Sequence, residues 1–238
     1  DWDRKITAYH EAGHAIVSRF VPLSDPVQMI TIVPRGRAGG FTAYSQDEDS
    51  QYMTVKAMKS RLAMMLGGRS AELIIFEDVT TGASNDIERA TKLARSMVTT
   101  YGMSTKIGPI NYDMGEEETF LGRDFGKGRT YSEDVARLID GEVKDLLDEA
   151  YATAQRVLSE NVEFLHIIAK RLLEVETISG KEFETMYKKY MGIEEEKEEV
   201  VEETVAEKKD SIDEISSTVE TTEETKEEAT DVEKTETE

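Results

Sequence analysis

Two of the chain's three histidines lie in His10-Glu11-Ala12-Gly13-His14, an H-E-x-x-H motif. On a helix, residues four apart are a little over one turn apart, so both imidazoles project from one face. Two imidazoles so placed can hold one zinc ion at about 2.0–2.1 Å each. Glu11 is turned by about 100° from His10, within reach of a water beside the metal but off its ligand sphere. Zinc brings the pKa of such a water to near 7, and Glu11 can take its proton. The chemistry this predicts is hydrolysis of a carbonyl that the metal polarises. The third histidine, His166, sits among Leu165, Ile167 and Ile168 without a partner pattern and reads as a packed or rim residue.

A catalytic zinc site needs a third protein ligand and an open fourth position. The metzincin pattern would put Gly and His three and six residues past His14, where Val17 and Phe20 stand. A thermolysin-like Glu about twenty residues on is also missing, since that stretch holds Pro34 and its neighbours. The third ligand must come from far along the chain. Asp86, at the start of an expected helix, and Glu72, on a helix, are the leading candidates. At Asp86 a plain helix-dipole role competes evenly with ligation on spacing alone. With no Cys and no fourth His nearby, a closed structural zinc site is disfavoured against an open catalytic one.

The elements that must position these groups are mostly helical. Helices are expected over 4–20, 54–75, from the Asn85/Glu88 capping box to about Tyr101, from the opening Thr130-Tyr-Ser-Glu133 stretch to about Ser159, over 162–175 and over 179–191. Val27–Pro34 and Phe41–Tyr44 read as two strands around a Gly36/Gly39/Gly40 turn, with short strands near 107–112. The fold class is therefore mainly α with a small sheet or hairpin. Gly67-Gly68 inside a helix costs roughly 1 kcal/mol per Gly against Ala, which points to another backbone packed closely there. Met53, Met58, Met64 and Met65 read as core rather than a binding face.

Charge divides the chain in two. The 238 residues carry a formal charge of −21, yet from Ile193 onward there are 20 acidic residues against 5 basic. That segment has too little apolar surface to order itself, so residues 1–192 are expected to be the folded domain and 193–238 an acidic, disordered tail. No basic patch suggests nucleic acid, and no apolar run approaches the roughly 18 residues of a membrane span. Gly122-Arg-Asp-Phe-Gly-Lys-Gly128 has the wrong glycine spacing for a phosphate loop and no Ser or Thr for magnesium, so no ATP binding is expected. A start at Asp1 without Met suggests a fragment.

Four blocks carry a resemblance: Ala8 to Ala15, Ile32-Val-Pro-Arg-Gly36, Leu66-Gly-Gly-Arg69 with Ala71-Glu72, and Thr81 to Asp86. Together they resemble the peptidase domain of FtsH, the membrane-anchored, ATP-dependent zinc metalloprotease, over about residues 3–190. The resemblance implies a helical zinc-peptidase domain with one Zn2+ per chain. It makes His10 and His14 ligands, Glu11 the catalytic residue, and Asp86 the third ligand, with Glu72 kept as the lesser candidate. It implies homohexameric rings, polypeptide substrates, and a membrane anchor and ATPase in segments this chain lacks, with this domain in the cytoplasm or an equivalent compartment. For substrate, the edge around Gly40, Phe41 and Thr42 could take a peptide as an added strand. The competing readings are a helical assembly module with a structural or vestigial metal, and a hydrolase acting on something other than peptides.

Overall fold

The computed structural model describes residues 2–36, 39–45, 52–113 and 131–193, which fall in one compact unit. The acidic tail, the phosphate-loop-like segment and Thr130 lie outside the described residues. Seven helices and a three-stranded sheet are seen among those described: α1 (Trp2–Phe20), β1 (Val27–Thr31), β2 (Phe41–Tyr44), α2 (Val55–Met65), α3 (Gly67–Phe76), α4 (Ser84–Thr99), α5 (Glu133–Glu160), α6 (Val162–Val175), β3 (Thr177–Ser179) and α7 (Gly180–Met191). The chain is mainly α with a small antiparallel sheet, as its sequence pattern indicates.

Helix α1 is the axis of the fold. From Ala8 to Ser18 every residue is buried, so the helix is covered on all sides. It packs against α2, α3, α5 and α6, and against the sheet. Its apolar residues, Ile16 and Val17 among them, join Leu62, Ile30, Phe164, Ile178 and Phe183 in one hydrophobic cluster. Three ionisable side chains, His10, Glu11 and His14, are buried with them. Buried groups of that kind need partners, and those partners define the site.

The expected single helix over 54–75 is two helices that meet at Leu66, whose φ of −91° and ψ of 0° lie off the regular helical values. The cause is a crossing with α1. A Cβ on Gly67 would lie 2.8 Å from the Gly13 carbonyl oxygen, and one on Gly13 would lie 2.6 Å from that of Gly67. Side chains at either position would force the two backbones apart, so Gly67, the first of the two glycines, does mark a close backbone approach. Met58, Met64 and Met65 are core, while Met53 is 38% exposed ahead of α2.

The sheet order is β2-β1-β3, with both pairings antiparallel. β1 stops at Thr31 rather than Pro34: the Val33 N–H turns back onto the Thr31 hydroxyl at 3.2 Å, and Pro34 has no N–H to offer a ladder. β3 was not expected; its three residues are too few for alternation to show, and Ser179 then caps α7 by accepting from the Glu182 N–H. The segment 103–113 holds no strand. The Asn85/Glu88 capping box does not form. A 3₁₀ turn over Thr81–Ala83 runs straight into α4, so Asn85 is already helical, and Glu88 pairs forward with Lys92 at 2.5 Å.

Candidate metal centre

Three elements converge on the buried face of α1. α1 supplies His10 and His14, one turn apart, with ring centroids 4.7 Å apart. α4 supplies Asp86 from its first turn. The two Nε2 atoms are 3.0 Å apart, and Asp86 Oδ2 lies 3.2 Å from that of His10 and 3.3 Å from that of His14. Among the described residues this is the group of His, Cys, Asp and Glu close enough to share one ion.

The triangle fits a tetrahedral zinc. Ligand atoms at 2.0–2.1 Å from a tetrahedral centre stand about 3.3 Å from one another, and the three edges here are 3.0, 3.2 and 3.3 Å. The tautomers fit as well. His10 Nδ1 faces Glu72 Oε1 at 2.6 Å, and His14 Nδ1 faces the Met64 carbonyl oxygen at 2.8 Å. A carbonyl can only accept, so His14 Nδ1 carries the proton and its Nε2 lone pair points into the triangle. Two lone pairs and a carboxylate oxygen facing each other repel unless a proton or cation lies between them. Burial disfavours the imidazolium of His10, but hydrogen bonds with Asp86 and Glu72, and the charge of Glu11, push it up to about 9. Burial likewise opposes the charge on Asp86, and the two histidines outweigh it, holding the carboxyl well below the usual range.

Glu72 sits on the opposite side of the His10 ring from the triangle. It is buried, and its second oxygen accepts from the Thr80 N–H at 2.7 Å. One carboxylate thus orients His10 and anchors the loop that leads into α4 and Asp86. Burial would raise its pKa, but His10 and Thr80 lower it on balance. Were His10 to bind a metal through Nε2, Glu72 would hold it by its outer nitrogen.

Glu11 lies between α1 and the sheet. Its Oε2 accepts from the Thr42 hydroxyl at 2.8 Å, and the same hydroxyl is 3.2 Å from the Glu11 carbonyl oxygen. β2 is an edge of the sheet; Gly40, just before it, and Thr42, within it, border Glu11, with Phe41 between them. The lack of a side chain at Gly40 serves the chain itself: a Cβ there would meet the Thr31 oxygen at 2.6 Å and Thr7 Cγ2 at 2.8 Å. His166 is on the rim, its Nδ1 2.9 Å from the Tyr9 hydroxyl.

Sequence reasoning missed two contributors. The Met64 oxygen was invisible to it because any carbonyl in the last turn of a helix is available as an acceptor. Gly68 gave a signal that was only half read. A Cβ at Gly68 would lie 2.5 and 2.6 Å from His10 Cε1 and Cδ2, and closer still to Nε2. What approaches there is the His10 ring, not a backbone.

The family comparison decides the identity. The model of Peptidase family M41 matches residues 1–186. The chain belongs to peptidase family M41. Within that family it is an FtsH-type peptidase domain. It is 50% identical over 185 residues to the ATP-dependent zinc metalloprotease FtsH 1 of Thermoanaerobacter sp., covering 78% of this chain and 30% of that protein. It is 51% identical over 181 residues to the FtsH of Caldicellulosiruptor bescii, covering 76% and 29%. The FtsH 2 of Alkaliphilus metalliredigens is 48% identical over 185 residues, covering 78% and 27%. The M41 chain thus spans less than a third of the length of these relatives. No helix among its described residues is long and apolar enough to cross a membrane.

Proposed function

We propose that residues 1–192 form a zinc-dependent endopeptidase domain and that residues 193–238 are a separate acidic tail. His10, His14 and Asp86 hold one zinc ion per chain, and Glu11 is the general base. The observation that carries this reading is the triangle of three ligand atoms with edges of 3.0–3.3 Å, bordered by Glu11. Bound there, zinc would polarise a peptide carbonyl and acidify water at neutral pH. The chain's own residues do the rest. Glu72 and the Met64 carbonyl fix the two imidazoles with Nε2 directed inward. Thr42 holds one Glu11 oxygen, which leaves the other to take the proton of the attacking water and return it to the leaving amine. The side chains of His10 and His14 are 11% and 10% exposed, and that of Asp86 20%, which supports an open site over a closed structural one.

A peptide extended along the outer edge of β2, at Gly40, Phe41 and Thr42, would place a scissile carbonyl beside Glu11. The relatives are described as ATP-dependent, and we assign that dependence, the membrane anchor and the unfolding of polypeptide substrates to the two thirds of their length beyond this match. Assembly as a homohexamer, with this domain on the cytoplasmic or equivalent side, is part of the same proposal. The test is Glu11→Gln, assayed on an unfolded polypeptide such as casein with zinc per chain measured alongside. Retained zinc and lost hydrolysis are expected. Unchanged turnover would remove Glu11 as the base.

A further inference from the structure

Around the candidate metal centre, apart from the Glu11 oxygen that Thr42 leaves open, two polar atoms lack partners among the described residues, and they are complementary. The first is the Tyr44 hydroxyl, which is buried and makes no hydrogen bond among the described residues. Folded proteins rarely keep such an atom without a reason. The second is Asp86 Oδ1. Oδ2 of the same carboxylate faces both histidines, while Oδ1 meets no donor among the described residues.

The outer shell is otherwise complete. His10 has Glu72, His14 has the Met64 oxygen, and Glu11 has Thr42. Carboxylates that bind metals are in turn hydrogen-bonded by outer partners, as metal-binding histidines are. Asp86 alone is without one. Tyr44 lies on the side of the sheet that faces the group. It is on β2 two residues past Thr42, hence on the same face of the strand. That face is the inner one: Thr42 pairs with the fully buried Ile30 and reaches Glu11 on α1. The surroundings keep the phenol a donor. Burial, then the charges of Glu11 and Asp86, push it well above its ordinary pKa, with Arg89 opposing and Asp25 adding a little.

We propose that Tyr44 is a positioning residue for Asp86, its hydroxyl donating to the carboxylate oxygen that turns away from the histidines when metal is bound. This rests on the ligand set proposed above. Glu11 is the less suitable acceptor, because one of its oxygens is already held by Thr42 and the other must stay open to water.

The test is Tyr44→Phe in the full chain, read by zinc dissociation constant in a chelator competition and by the melting temperature of the metal-free protein. Zinc affinity is expected to fall about 10- to 100-fold, the usual effect of losing an outer-shell partner. The metal-free melting temperature should hold or rise, since the variant removes a buried hydroxyl that had no partner. Unchanged zinc affinity would overturn the proposal, and so would a parallel loss of stability and affinity, which marks a merely structural tyrosine. Adding Tyr44→Phe to Asp86→Asn should cost nothing further, and additive losses would also overturn it. If Asp86→Asn alone keeps full zinc affinity, the ligand set itself is wrong. If it loses zinc while Tyr44→Phe does not, only the role of Tyr44 falls.

Discussion

Gly68→Ala should damage the metal site more than the fold. Gly68 lies in α3 with no left-handed φ, so Ala suits its backbone and by itself would stabilise the helix by about 0.4–1 kcal/mol. The added methyl, however, would lie 2.5–2.6 Å from carbons of the His10 ring, where ordinary contact begins near 3.4 Å. Of the two, the side chain must give way, by about 1 Å. The ring is held by its 2.6 Å bond to Glu72, and a hydrogen bond to a charged group contributes about 1.5–3 kcal/mol. Taking these together, the metal-free protein should lose about 1–2 kcal/mol, or about 2–8 °C in melting temperature for a domain of this size. Zinc affinity should fall by more than the roughly 100-fold that marks the upper range for an outer-shell defect, because a ligand itself is displaced. Chelator competition and calorimetry on the metal-free protein measure the two effects separately. Gly141→Ala is the control: in α5 nothing lies within 4 Å of a Cβ there, so it should raise stability and leave zinc untouched. Wild-type zinc affinity in folded Gly68→Ala would refute the reasoning, since His10 could not then be binding through the Nε2 that the methyl displaces.

Glu72→Gln should weaken zinc about 10- to 100-fold without removing a ligand. Glu72 accepts from both His10 and the Thr80 N–H, and an amide has only one acceptor oxygen for the two donors; a complete loss of zinc would instead place Glu72 among the ligands. Deleting the chain after Gly192 should shift the melting temperature by no more than about 1 °C, because among the described residues the apolar cluster draws on nothing past Tyr190. A larger drop in calorimetry would mean that the tail docks on the domain.

What was legible in the sequence follows from the range of the interactions concerned. His10, Glu11 and His14 were readable because one helical turn fixes their geometry, and a helix over 4–20 needs only its own periodicity. The same holds for α5 and α6, whose ends fell within a few residues of those expected. Failures begin where a distant element intervenes. The helix over 54–75 is broken because α1 crosses it at Gly13 and Gly67, which no local pattern encodes. The capping box at Asn85 has the right residues, but Thr80 and a 3₁₀ turn start α4 earlier. Asp86 came from family resemblance, since spacing alone left it level with a helix-dipole role.

The pair Asp86 and Glu72 shows why a ligand set resists inference from sequence. Both are buried or half-buried acids next to His10, and both touch its ring. At that ring they differ in which nitrogen they meet. That choice depends on the tautomer, and the tautomers are coupled through the helix. His14 must carry its proton on Nδ1 because the Met64 carbonyl can only accept, which sends its Nε2 lone pair toward Asp86. His10, one turn back and on the same face, then has to present Nε2 to the same point if one ion is to serve both. Glu72 is left with Nδ1. A carbonyl in the last turn of α2 therefore helps decide which carboxylate is offered to the metal, through a helix break that two glycines and a crossing backbone create.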